Sequence, residues 1–170
     1  MADKTESSAK EREHLLGLLK SYRTGMLTTM DAAKVFHARP MQIARVDEDC
    51  AIWFMTGTDS GKVDEIEADP RVSVTLHSLS ADVALAGDAG LVRDRELIKQ
   101  LWSEPWRVWF PDGPDDPTIV LVKVLPDHAE YWDRSGGKGV RYMLRAARAY
   151  LAGTRPHGTP PKEHAFVEKL

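Results

Sequence analysis

The chain has 170 residues, of which 42% are apolar and 29% charged, enough for one buried core and too apolar for disorder throughout. Its 23 basic and 26 acidic residues leave a formal charge of −3, which excludes a surface given over wholly to nucleic acid or acidic lipid. The single cysteine, Cys50, excludes an internal disulfide, and no apolar run approaches the roughly 20 residues of a membrane span, so a cytoplasmic setting without membrane contact is expected.

The spacing of Leu15, Leu18, Leu19 and Tyr22 predicts an amphipathic helix over Ser7 to Tyr22. Gly25 to Thr29, Met41 to Val46 and Ala51 to Thr56 read as strands, the last two joined by the hairpin connection Asp47-Glu48-Asp49. Asp59-Ser60 offers a helix N-cap, with Val63 and Ile66 facing inward until Pro70 forbids continuation. Val72 to His77 alternates with period two, and Val83 to Val92 is a strand whose Gly87 and Gly90 suggest a bulge or close backbone packing. Asp94 caps a helix bearing Leu97, Ile98, Leu101 and Trp102. Pro111 to Pro117 is too rich in breakers for regular structure, and Ile119 to Leu125 and His128 to Trp132 read as the final strands. About seven strands with few helices between them point to a mainly β chain with peripheral helices, an antiparallel barrel or sandwich rather than a parallel βαβ sheet.

The end of the chain differs in charge. Residues 134–155 contain Arg134, Lys138, Arg141, Arg145, Arg148 and Arg155 and no acid, while Val140, Met143, Leu144, Ala147 and Leu151 share one helical face. A basic C-terminal helix followed by a Pro-rich tail is expected over residues 134–170, separate from a domain spanning residues 1–133. With no stacking platform or base-reading motif nearby, the helix is read as packing on the acidic barrel rather than binding specific nucleic acid.

One segment has the makings of an anion site. Arg39-Pro40-Met41 opens one strand, and Thr56, Ser60 and Lys62 lie where another strand passes into a helix, so a cation, two hydroxyls and free helix N–H groups would converge as a phosphate requires. The same residues are equally those of an ordinary helix cap followed by a solvated lysine. The six histidines are scattered without metal-ligand spacing, so no metal is expected. Cys50 follows an acidic loop that would raise its pKa, so an unreactive thiol is expected. Trp102 and Trp106 read as core, and Trp109 is open between core and cleft rim.

Arg39-Pro40-Met41, the run Trp53 to Lys62, Gly87-Asp88-Ala89, the Trp102 to Pro117 stretch and Ala129-Glu130-Tyr131-Trp132 together resemble the FMN-binding split-barrel superfamily that includes pyridoxamine 5′-phosphate oxidase, and within it the general stress protein 26 branch. The resemblance implies a split β-barrel homodimer with FMN in clefts between subunits. Arg39 and Lys62 would meet the FMN phosphate, with Thr56 and Ser60 as hydrogen-bond donors and Gly61 between them. Pro40, Met41, Gln42, Phe54 and Met55 would border the flavin, and Trp132 would approach it from the partner chain. Departures concern reaction type. Gly61 stands where the oxidases carry a basic residue, Asp82 where they carry a glutamine, and Asp133-Arg134-Ser135 replaces their Arg-x-His substrate motif. Pyridoxamine 5′-phosphate oxidase activity is therefore not expected. The implied function is an FMN-binding stress protein, either a flavin-dependent oxidoreductase using a donor such as NAD(P)H or a non-catalytic flavin-binding or sensing protein.

Overall fold

Period-two burial shows how the strands are built. In β4 (Arg71–His77) Val72, Val74 and Leu76 face inward while Arg71, Thr75 and His77 face out, and β1 (Thr24–Met30) buries Gly25, Leu27 and Thr29 in the same manner. The computed structural model describes residues 2–135 and 163–168. Its other elements are α1 (Ala2–Ser21), β2 (Phe36–Val46), β3 (Ile52–Gly57), α2 (Gly61–Ala68), β5 (Ala81–Val92), α3 (Arg95–Leu101), β6 (Ile119–Asp133) and β7 (Glu163–Glu168), with short 3-10 turns at Glu104–Val108 and Gly113–Asp115.

All strand pairs are antiparallel. The order β3-β2-β1-β4-β5-β6 closes through a β3–β6 pairing, giving a six-strand barrel with β7 added beside β6. Leu15 and Leu19 of α1 are fully buried in the barrel core with Leu27, Phe54, Val74, Leu85 and Val122. Each such side chain stabilises the fold by about 1.5–3 kcal/mol. A second cluster of Trp53, Met55, Ile98, Trp106, Ile119 and Leu121 joins β3 and β6 to α3 and the first 3-10 turn.

Four expectations change, the first being that β2 starts at Phe36, so Arg39 and Pro40 lie within the strand rather than opening it. Ile119–Leu125 and His128–Trp132 are one strand: β6 runs through Pro126, and the register against β5 shifts between Ala86 and Gly87. Pro126 reads as a breaker, but at a bulge its missing N–H costs no ladder bond. A Cβ on Gly87 would stand 2.1 Å from the Leu125 carbonyl oxygen, so only glycine permits this approach. Residues 163–168, read as part of a Pro-rich tail, form β7, and Val167 there is only 4% exposed. The first helix begins at Ala2 rather than Ser7. The basic helix expected over residues 140–151 lies outside the described residues. Among the described residues, no helix is long and apolar enough to cross a membrane.

The start of α3 and the end of α2 follow the sequence. Asp94 accepts from the Glu96 and Leu97 amides, and α2 stops at Asp69 before Pro70. Cys50 is buried in the turn before β3, and burial, more than the acidic neighbours Asp49 and Glu48, pushes its thiol pKa up.

Candidate functional site

At the end of β3 the chain turns sharply. The Thr58 amide donates to the Thr118 carbonyl at 2.8 Å, fixing the turn against the entry to β6. Ser60 then occupies the N-cap position of α2, but its hydroxyl accepts no helix amide. It accepts instead from the Lys62 ammonium, which also donates to Thr56 Oγ1 at 2.9 Å. Lys62 is half-buried, and among the described residues no carboxylate forms an ion pair with it. Burial first, and then the positive charge of Arg39, lower its pKa from 10.5. The protein thus holds a desolvated cation and an uncapped helix start at one point, and both favour an anion.

Lys62 and Thr56 line a cleft of about 380 Å³. Its lining also includes Pro40, Met41 and Gln42 of β2, Met55 and Gly57 of β3, and Trp106, Trp109 and Phe110 from the segment after α3. Gln42 Oε1 accepts from the Trp106 indole N–H at 2.8 Å, which fixes the amide orientation and leaves its two N–H donors for other acceptors. Asp59 and Lys62 are the only ionisable side chains among the residues lining this cleft.

The other anticipated site residues lie elsewhere. Arg39 stands outside the cleft wall, its guanidinium paired with Glu65 at 2.7 Å and donating to the Thr29 hydroxyl. Burial alone would raise the Glu65 pKa, but hydrogen bonds from Thr29 and Arg39 outweigh it and hold the carboxyl low. Phe54 is fully buried in the barrel core behind the cleft. Gly61 is exposed at the start of α2, with nothing within 4 Å of a would-be Cβ. Trp132, on the second half of β6, stacks on His164 of β7 at 5.4 Å between ring centroids. Asp82, opposite Trp132 in register, is bound by Arg134 at 2.6 Å and by His77, and Arg134 before all else draws its pKa down. His37 pairs with Asp31 at 3.1 Å.

Gly57, Asp59 and Phe110 line the cleft without having been singled out in the sequence, and Trp106, read as core, serves both core and wall. Gly57 and Asp59 fall inside the strand-to-helix run already marked, and Phe110 directly follows Trp109. Trp109 lines the cleft and is 68% exposed.

Comparison with known proteins bears on this barrel and cleft. The chain is 30% identical over 121 residues to General stress protein 26 of Bacillus subtilis, covering 68% of this chain and 84% of that one. It is 29% identical over 129 residues to Protein bli-3 of Neurospora crassa, covering 69% of this chain but only 62% of the relative, so it spans less than two thirds of that protein. Among solved structures, one described as a general stress protein 26 from Jannaschia sp. CCS1 superposes with a TM-score of 0.68 at 27% identity, over 99% of each chain. The general stress FMN/FAD binding protein of Xanthomonas citri superposes with a TM-score of 0.63 at 28% identity, over 74% of this chain and 90% of that one. The family described as pyridoxamine 5′-phosphate oxidase like matches residues 10–157. Matched over most of its length and sharing the closed barrel, the chain belongs to the pyridoxamine 5′-phosphate oxidase like family, with its similarity on the general stress protein 26 side.

Proposed function

We propose that this chain is a flavin-binding stress protein that holds FMN as a homodimer. The observation that carries the reading is the Lys62 ammonium: half-buried, joined to Thr56 and Ser60, and in no direct ion pair among the described residues, with Glu65 and Asp59 acting on it only at longer range. A phosphomonoester supplies the missing charge and accepts from Lys62, the Ser60 hydroxyl and the uncapped amides of α2. Arg39 adds positive potential, but its guanidinium is engaged by Glu65 and Thr29, which makes Lys62 the principal phosphate contact.

The remainder of the cleft suits a flat ring. Pro40, Met41 and Met55 give apolar surface, and Gln42 brings amide donors for carbonyl groups on a pyrimidine edge. The name of the Xanthomonas citri structure, an FMN/FAD binding protein, supports the same ligand class. When bound, FMN supplies hydride and electron transfer, and the chain's own task is to bind and orient it.

The dimer is supported by the outer face of the β1–β2 hairpin. Met26, Met30, Phe36, Ala38 and Pro40 lie together there through the pairs Met26↔Pro40, Thr28↔Ala38 and Met30↔Phe36, and Phe36 is 73% exposed. This apolar face runs into the cleft at Pro40, so a second subunit seated on it would border the ligand. Trp132 of the second subunit is the candidate contact there.

Reconstitution with FMN tests the reading. Purified protein takes up FMN and turns yellow, and Lys62→Ala weakens FMN binding by about 1.5–3 kcal/mol while leaving riboflavin, which lacks the phosphate, unaffected. A wild-type protein that ignores FMN overturns the proposal. Bleaching of the bound flavin by NADH or NADPH at catalytic rates marks an oxidoreductase. Absence of turnover with either marks a binding or sensing protein.

A further inference from the structure

We infer that Trp109 is the stacking platform for the ligand's planar ring, an inference that rests on the flavin reading above. Four of the five tryptophans already have a partner for their ring. Trp53 has Arg45 at 5.0 Å and Lys123 at 5.2 Å, Trp102 has Arg107 at 5.9 Å, Trp106 meets Trp102 edge-on at 6.2 Å, and Trp132 stacks on His164. Trp109 has neither a ring nor a cation partner among the described residues, and it is the one left 68% exposed.

Its backbone, by contrast, is firmly held. The amides of Trp109 and Phe110 both donate to the Trp106 carbonyl, at 2.9 and 3.0 Å, and the Gly113 amide donates to the Phe110 carbonyl at 2.9 Å. Trp106 is anchored by burial and by its bond to Gln42. Arg107 is forked onto Glu104, donates to the Pro111 carbonyl at 3.2 Å, and lies against Gly113, whose φ of +75° a side chain would disfavour. A rigid turn therefore presents an uncovered indole to the cleft that holds Lys62 at another point. Fixed backbone and free aromatic face are what preorganised stacking requires, because little further ordering is needed when the ring arrives.

The experiment compares Trp109→Ala and Trp109→Phe with wild type and Lys62→Ala, titrating each with FMN and with riboflavin. Trp109→Ala is expected to weaken both ligands to a similar extent, roughly tenfold, because it removes contact with the ring they share. Trp109→Phe keeps affinity within roughly threefold of wild type but raises the emission of bound flavin, since phenylalanine cannot quench it as indole does. Unchanged affinity of Trp109→Ala for both ligands, alongside weakened FMN binding by Lys62→Ala, overturns the stacking role while leaving the flavin reading in place. A wild-type protein that binds neither ligand overturns both. A Trp109→Ala protein that sediments as a smaller species yet binds both flavins normally overturns the inference by placing the indole at the subunit contact.

Discussion

Lys62 carries its charge into a half-buried position where burial and Arg39 both oppose it, and its pH behaviour follows from that. Its pKa lies below 10.5 in the folded chain, so between the lowered value and 10.5 the unfolded chain binds the extra proton. Stability therefore rises as pH climbs through that window and is insensitive to this group below it. Denaturant midpoints measured from pH 7 upward show the rise, and Lys62→Met removes it. An anion reverses the preference by stabilising the ammonium, so FMN affinity is greatest below the lowered pKa and declines as pH rises through it. The residues around Lys62 were legible because they are close in sequence: Thr56, Ser60 and Lys62 span a single strand-to-helix turn. The engagement of Arg39 by Glu65 was not, because the two are 26 positions apart and meet only once α2 packs on β1, the strand paired with β2.

Among the elements, the β5–β6 crossing makes the sharpest demand on one residue. Gly87→Ala would drive a Cβ into the Leu125 carbonyl oxygen and the Pro126 Cα, and costs about 3 kcal/mol as overpacking of a site that cannot yield. That corresponds to a fall of roughly 6–12 °C in Tm for a chain of this size. Gly90→Ala, with nothing within 4 Å of its Cβ, changes stability by less than about 0.5 kcal/mol. Thermal melts of the two variants check the contrast. The strand pattern marked both glycines without ranking them, since rank depends on which one faces a neighbouring backbone. Asp94 shows the opposite case: its cap closes on amides two and three residues ahead, so local sequence sufficed. Pro126 misled for a related reason, because a proline at a bulge and a proline ending a strand look alike until the partner strand is known.

For the whole molecule, the exposed hairpin face of Met26, Phe36 and Pro40 is the surface on which the proposed dimer rests. Phe36→Asp places a charge at its centre and weakens the proposed dimer by about 2 kcal/mol or more, seen as a shift toward monomer in sedimentation velocity across a dilution series. FMN affinity falls in step if the partner subunit completes the cleft. The antiparallel β architecture was readable from the run of strands and its closure into a barrel from the family resemblance, whereas β7 was hidden by its distance in sequence from β6 and by the prolines that precede it. Its position has its own consequence. β3 and β7 occupy the same side of β6, one beside Ile119–Val124 and the other beside His128–Asp133, while β5 runs along the opposite side. Successive amides of an antiparallel strand point to alternate sides, so transient departure of β7 would leave every second amide of the distal segment open to solvent deuterium and the intervening ones shielded. Residue-resolved hydrogen exchange should then show a two-residue alternation over 128–133 and uniform protection over 119–124, a barcode for the tail's attachment.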